Sequence, residues 1–188
     1  MYSILLFLHI VGALGVFASL AIEHAAMLNL RRASTTTQAR EWLSLLRALQ
    51  RFTGPAALIL LLTGIYMMVT RWSHQAWAGL GLVGMIVMAL IGAVVTGRRM
   101  RTIGQAVLTG EGGALLPSAL RERLDAPALR LSAWVRLGLA LGIVFNMSVK
   151  PGPLGAVAAL IVAAVLGAFA AQVVGGSSRT MPRPAPQE

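Results

Sequence analysis

The first apolar stretch of the chain contains a histidine, His9, within the sequence Leu8-His9-Ile10-Val11-Gly12. A titratable group is costly to place inside a membrane segment, so each one is a candidate functional residue. Neutral imidazole binds haem iron or copper when a partner holds its second ring nitrogen. Gly12 would let a flat cofactor or a neighbouring helix come close. His9 is therefore either a metal ligand or a histidine that forms a hydrogen bond to another helix.

Glu23 and His24 lie near the other end of the same stretch. At about 100° per residue, Glu23 lies roughly 40° from His9 and His24 roughly 60° to the other side, so all three share one broad helix face. His9 and His24 are about 22 Å apart along the helix axis, too far to bind one metal. We expect Glu23 to pair with Arg47 or Arg51 of the next helix, and a proton-relay or ligand role is the alternative.

Three other groups could carry chemistry. His74 is the last of three histidines and lies on a short turn, so two haems with four histidine ligands are excluded in a monomer. Asn146 and Lys150 lie at the end of a later apolar stretch, where the lysine reaches the headgroups or binds an anionic group such as a propionate. Methionine thioethers bind Cu(I), although methionine in an apolar helix commonly fills space. The methionines in question are Met67, Met68, Met85 and Met88.

Several chemistries are excluded by composition and motif. The chain has no cysteine, which excludes disulfides, thiolate metal sites, iron–sulfur clusters and cysteine nucleophiles. It also has no phosphate-binding loop, zinc-protease motif or nucleophile elbow.

The elements that position these residues are predicted to be membrane helices. Of 188 residues, 57% are hydrophobic and 12% are charged, whereas a soluble domain has about a quarter charged residues. The apolar residues form long stretches, several of which approach or exceed the roughly 18 residues needed to cross a bilayer. The fold class is therefore all-α, a polytopic membrane helical bundle of five transmembrane helices, four in the core and one peripheral. The spans are predicted at about 3–30, 56–69, 76–96, 131–149 and 154–174.

Residues 1–174 form a single transmembrane domain in this interpretation. Residues 39–53 are amphipathic, and they form either a separate interfacial helix or the beginning of the second span. The longest polar connection is 98–130, with a short helix predicted from Ser118 to Leu124. The tail, 175–188, is rich in Gly, Ser, Pro and Arg, which predicts disorder.

Loop charge predicts the orientation. All basic residues except Arg71 and Lys150 lie in or beside the two loops that follow the first and third spans, or in the tail. Because cytoplasmic loops carry an excess of arginine and lysine, we expect the N-terminus outside and the C-terminus in the cytoplasm. The net charge of +10 is explained by these flanks, and no nucleic-acid binding is expected.

Small residues are expected at the helix contacts, because lipid provides no hydrophobic driving force between helices. Gly138 and Gly142 in the fourth span and Gly155 and Ala159 in the fifth lie four residues apart, and Gly12 and Gly15 lie in the first span.

Several short motifs resemble those of a group of small bacterial membrane proteins. They are Leu8-His9, the stretch from Leu46-Arg47 to Arg51-Phe52-Thr53-Gly54-Pro55-Ala56, Leu62-Thr63-Gly64, and Val149-Lys150-Pro151. The group includes a family of predicted integral membrane proteins, the copper-resistance D-type proteins and the haem-containing membrane protoporphyrinogen oxidases. The resemblance covers about residues 4–152. It implies a b-type haem bound by His9, an important lysine at Lys150, and a location in the bacterial inner membrane.

The chain departs from the oxidase family at Trp77-Ala78-Gly79-Leu80 and at Leu131-Ser132-Ala133-Trp134. The leading hypothesis is therefore an accessory membrane protein that binds haem b through His9. One alternative is a redox enzyme of the protoporphyrinogen-oxidase type, and another is a small transporter or copper-handling protein. The partners expected are the lipid bilayer and either a second copy of the chain or the other subunits of a larger membrane complex.

Overall fold

The structure is a computed structural model that describes residues 1–110 and 113–177. It is 89% helical, and the described residues contain no strand. The helices are α1 (Tyr2–Arg32), α2 (Thr36–Arg71), α3 (Ala76–Ile91), α4 (Arg98–Thr109), α5 (Ser118–Leu124), α6 (Pro127–Val149) and α7 (Pro153–Ser177). A π-helical segment, Gly92–Gly97, joins α3 to α4 without a break.

Five of these helical stretches are long and apolar enough to cross a membrane, as the sequence predicts. They are Tyr2–Arg32, Thr36–Arg71, Ala76–Thr109, Ser118–Val149 and Pro153–Val174. The chain is thus a multi-pass helical membrane protein.

The second span begins earlier than its apolar core. Helix α2 runs without interruption from Thr36 through Pro55 to Arg71, so residues 39–53 are continuous with the span and do not form a separate helix. Thr35 caps its N-terminus, because the Thr35 hydroxyl accepts a hydrogen bond from the Gln38 backbone N–H at 3.3 Å.

The prediction of a polar connection from 98 to 130 is wrong for residues 98–109, which form α4, and for residues 127–130, which begin α6. Ile103 and Val107 are buried on one face of this helix, so its arginines lie on an amphipathic helix rather than in a loop. The Arg40 side chain donates hydrogen bonds to the carbonyls of Val107, Leu108 and Gly110, which lack helical partners at the end of α4. The short helix predicted at Ser118–Leu124 is confirmed as α5.

A hydrophobic cluster closes the arginine-rich end of the bundle, where α1 ends and α2 begins. The connection after α4 is joined to this end by two backbone hydrogen bonds, from Thr36 N to Ala114 O at 3.0 Å and from Leu116 N to Ser34 O at 2.9 Å. The buried members come from five helices and two connections, as in a soluble core. They are Met27, Leu30, Ala33, Ala39, Leu43, Ile103, Val107, Leu116, Leu120, Leu124 and Leu129.

Within the apolar part of the bundle, Gly12, Gly138 and Gly142 set helix contacts, as predicted, whereas Gly155 is exposed and faces only Pro151 of the preceding turn. A Cβ atom on Gly12 would lie 2.9 Å from the Leu60 backbone nitrogen, so α1 and α2 touch backbone to backbone there. A Cβ on Gly138 would collide with the Ala163 carbonyl of α7, and one on Gly142 would lie 2.9 Å from the Ala163 side chain. The small residues therefore allow α6 and α7 to approach closely.

The predicted tail lies mostly outside the described residues. Residues 175–177 belong to the end of α7, so the helix extends beyond the predicted boundary of 174.

Candidate functional site

Two cavities lie along the bundle. The first, the His9 cavity, has a volume of about 570 Å³ and lies between α1, α2, α3 and α6, near the end of the bundle that carries Lys150. The second, the arginine-side cavity, has a volume of about 630 Å³ and lies toward the arginine-rich end. Both volumes are typical of sites for small molecules and cofactors, roughly 300–1,000 Å³. Val16, Met85 and Met88 line both cavities.

His9 is half-buried on α1, and a side chain of α2 orients its ring. Its Nδ1 lies 3.1 Å from the Thr63 hydroxyl oxygen. That hydroxyl donates its single proton to the Ile59 carbonyl, at 2.6 Å, as a helical threonine commonly does. With its proton on the Ile59 carbonyl, the hydroxyl oxygen can accept a hydrogen bond from His9 Nδ1–H, and in that tautomer the lone pair of the neutral ring lies on Nε2. A histidine with Nδ1 held in this way is prepared to bind a metal through Nε2.

Gly64 makes room for the His9 ring. A Cβ atom at this position would lie 3.0 Å from Cε1 of the ring, closer than side-chain contacts normally allow. The motif Leu62-Thr63-Gly64 thus provides both the hydrogen-bond partner and the space for the imidazole. The motif is visible in the sequence but the role of Thr63 is not, because the pairing crosses from one helix to another.

Lys150 lies at the mouth of the His9 cavity. Its ammonium group is 5.7 Å from the ring centroid of Trp72 and 5.5 Å from that of Trp77, and no carboxylate among the described residues pairs with it. Its backbone is left-handed, with φ 53° and ψ 52°, and it forms the C-cap of α6. A bulky residue before proline seldom adopts this conformation, so the turn holds the lysine over the tryptophans at a cost in backbone strain.

Glu23 forms its ion pair with Arg136 of α6, so the expectation of Arg47 or Arg51 as partner is wrong. Arg136 Nη1 and Nη2 donate to the two carboxylate oxygens at 2.7 and 2.8 Å, a bidentate arrangement. The guanidinium also lies against Gly92, where a Cβ would be 3.2 Å from Cζ. The sequence places Arg136 beside the charged loop after the third span. In the structure it lies inside the bundle, and only 11% of its side chain is exposed.

His24 and Asn146 line neither cavity. His24 Nδ1 donates to the Leu20 carbonyl at 3.2 Å, and the ring packs edge-on against Trp134. Asn146 is fully buried and its amide nitrogen donates to the Ala156 carbonyl at 3.1 Å, which joins α6 to α7. Both residues therefore serve helix contacts.

The remaining histidine, His74, is exposed on the turn after α2 and lines neither cavity. Four methionines that the sequence offered as copper ligands, Met67, Met68, Met85 and Met88, all line the His9 cavity. No group of three or more histidine, aspartate or glutamate side chains that could hold a metal ion occurs in the described part of the chain.

Fold and site together define a multi-pass helical membrane protein with a histidine-lined cavity and a second, charged cavity. No protein family, no curated protein and no solved structure matches the chain.

Proposed function

We propose that the protein binds haem b in the His9 cavity and that His9 provides an axial ligand through Nε2. The observation that carries the proposal is the contact between His9 Nδ1 and the Thr63 hydroxyl, because it orients the ring and, with Nδ1 protonated, leaves the Nε2 lone pair free. The resemblance of the Leu8-His9 and Val149-Lys150-Pro151 motifs to those of haem-containing membrane proteins points in the same direction.

The cavity suits this group in three respects. Its walls are largely apolar, with aromatic and methionine side chains, as expected for a macrocycle. Lys150 offers a positive charge at the mouth, where it would pair with a propionate. The methionines provide thioether sulfur, which forms the second axial ligand in some cytochromes. Bound haem would supply one-electron chemistry, and we assign the protein an accessory role in that chemistry.

We further propose that the N-terminus and Lys150 face the outside of the bacterial inner membrane. The loop charges support this orientation, because both arginine-rich connections lie at the opposite end. The His9 cavity would then face the outer half of the bilayer.

An absorption spectrum of the detergent-purified protein tests the haem proposal, using cells supplied with a haem precursor. We expect a Soret band with one haem per chain in wild type, its loss in His9→Ala, and its retention in the matched control His74→Ala. His74 is the control because it is exposed and lies outside both cavities. A colourless wild-type protein, or equal haem content in the two variants, would overturn the proposal.

Copper handling is the second candidate, and it is favoured by four methionines of α2 and α3 that line the same cavity as His9. Thioether and imidazole groups together bind Cu(I). Metal analysis of the same preparation separates the candidates. Stoichiometric copper without a Soret band would replace the haem proposal, and haem iron without copper would exclude the copper one.

A further inference from the structure

The arginine-side cavity carries an excess of positive charge that the haem proposal does not use. Four arginines and one glutamate line it, namely Arg40, Arg47, Arg101, Arg136 and Glu23. Two of the arginines are already engaged: Arg136 pairs with Glu23, and Arg40 donates to the carbonyls at the end of α4. Two cations are therefore left to face a ligand.

Those two, Arg47 and Arg101, come from different helices, α2 and α4. Both are exposed, and neither forms a hydrogen bond or ion pair within the described residues. Gln50 and Gln105 follow them by one helical turn and line the same cavity. Guanidinium and amide N–H groups of this kind, supplied by two helices to one cavity, are donors that bind phosphate oxygens.

The rest of the cavity is apolar. Toward the middle of the bundle its walls are formed by Leu20, Ala57, Met85 and Met88. The site thus has a cationic rim and an apolar interior, which is the layout that an anionic amphiphile requires. Free phosphate shares the headgroup chemistry but leaves the apolar part of the cavity unused.

We propose that this cavity binds one anionic phospholipid, whose phosphate is recognised by Arg47 and Arg101 and whose acyl chain lies along the apolar walls. Basic pockets between transmembrane helices commonly bind anionic lipid headgroups.

The test compares lipid retention in two double variants by native mass spectrometry of the purified full chain. Arg47→Gln/Arg101→Gln removes the proposed phosphate ligands. Arg51→Gln/Arg98→Gln removes the same charge from the same two helices at exposed positions outside the cavity. The probes are phosphatidylglycerol, phosphatidylcholine with the same chains, and inorganic phosphate.

We expect wild type to bind phosphatidylglycerol at least about tenfold more strongly than phosphatidylcholine. Each basic side chain near an anionic headgroup raises the affinity by about a factor of five. The preference should disappear in Arg47→Gln/Arg101→Gln and persist in Arg51→Gln/Arg98→Gln. Equal losses of this preference in the two double variants would mean that general surface charge causes it, which would contradict a specific site. Binding of phosphatidylcholine as strong as that of phosphatidylglycerol, or displacement of the lipid by inorganic phosphate at equal concentration, would overturn the proposal.

If the first double variant does not fold, the single substitutions Arg47→Gln and Arg101→Gln decide the question. Each should lower the preference severalfold, and a preference unchanged in both would contradict a role for these arginines.

Discussion

The His9 cavity and the arginine-side cavity share three wall residues, Val16, Met85 and Met88. They differ in how far their polar side chains are hydrogen-bonded within the protein. In the arginine-side cavity the partly buried carboxylate of Glu23 accepts a hydrogen bond from Arg136 at each of its two oxygens. In the His9 cavity Thr63 holds one ring nitrogen, and in the Nδ1-protonated tautomer the other keeps its lone pair. The first arrangement stabilises the contact between α1 and α6, and the second leaves a group free for binding.

The Glu23–Arg136 pair therefore has a structural role, whereas the His9–Thr63 pair is suited to binding a ligand. A buried charge needs a partner, because an unpaired charge in a low-dielectric interior is strongly destabilising. A neutral imidazole with one hydrogen bond is much less costly, so a protein can hold it ready for a metal. Removing a polar group from the arginine-side cavity should therefore mainly reduce stability, whereas removing one from the His9 cavity should mainly reduce ligand binding.

The largest expected effect on stability comes from Glu23→Met, which leaves Arg136 unpaired. We expect a loss of about 3–5 kcal/mol in the free energy of unfolding, measured by denaturation in mixed detergent micelles. The double variant Glu23→Met/Arg136→Met should recover most of that loss, since two apolar side chains can pack in place of the pair. Haem content per folded chain should not change. If the stability loss of the double variant equals the summed losses of Glu23→Met and Arg136→Met, the pair itself contributes little to stability.

A smaller effect on stability, but a specific effect on binding, is expected for Thr63→Val. The change keeps the shape of the side chain and removes the hydroxyl that orients His9. Loss of such a partner typically weakens metal binding by about 10–100-fold. Thr70→Val is the matched control on α2, because the Thr70 hydroxyl bonds only to its own helix, at the Tyr66 carbonyl. Haem titration of both purified variants measures the effect, and equal affinities would remove Thr63 from the site.

The sequence predicts those helices whose residues are continuously apolar or carry local helix signals. The five spans follow from continuous apolar stretches, and α5 was predicted at its observed bounds, Ser118–Leu124. Helix α4 was missed because its apolar residues, Ile103 and Val107, are isolated among arginines and polar residues. Their burial depends on the distant ends of α1 and α2.

The site was less predictable because its pairings join distant parts of the chain. His9 and Thr63 are 54 positions apart, and Glu23 and Arg136 are 113 apart. A single sequence shows that each group is unusual in an apolar segment, but not which partner the packing of the helices will supply. The position of Arg136, one helical turn inside an apolar stretch, was the only signal that it needed a buried partner.

The most direct test of the account is chemical rescue of the proposed ligand. His9→Gly removes the imidazole while keeping the cavity, and free imidazole can then occupy the vacated space and bind the iron. We predict that this variant lacks the Soret band of wild type and regains it when haem and imidazole are added together but not when haem is added alone, whereas His74→Gly keeps the band throughout. An unchanged Soret band in His9→Gly without imidazole would contradict the assignment of His9 as the ligand.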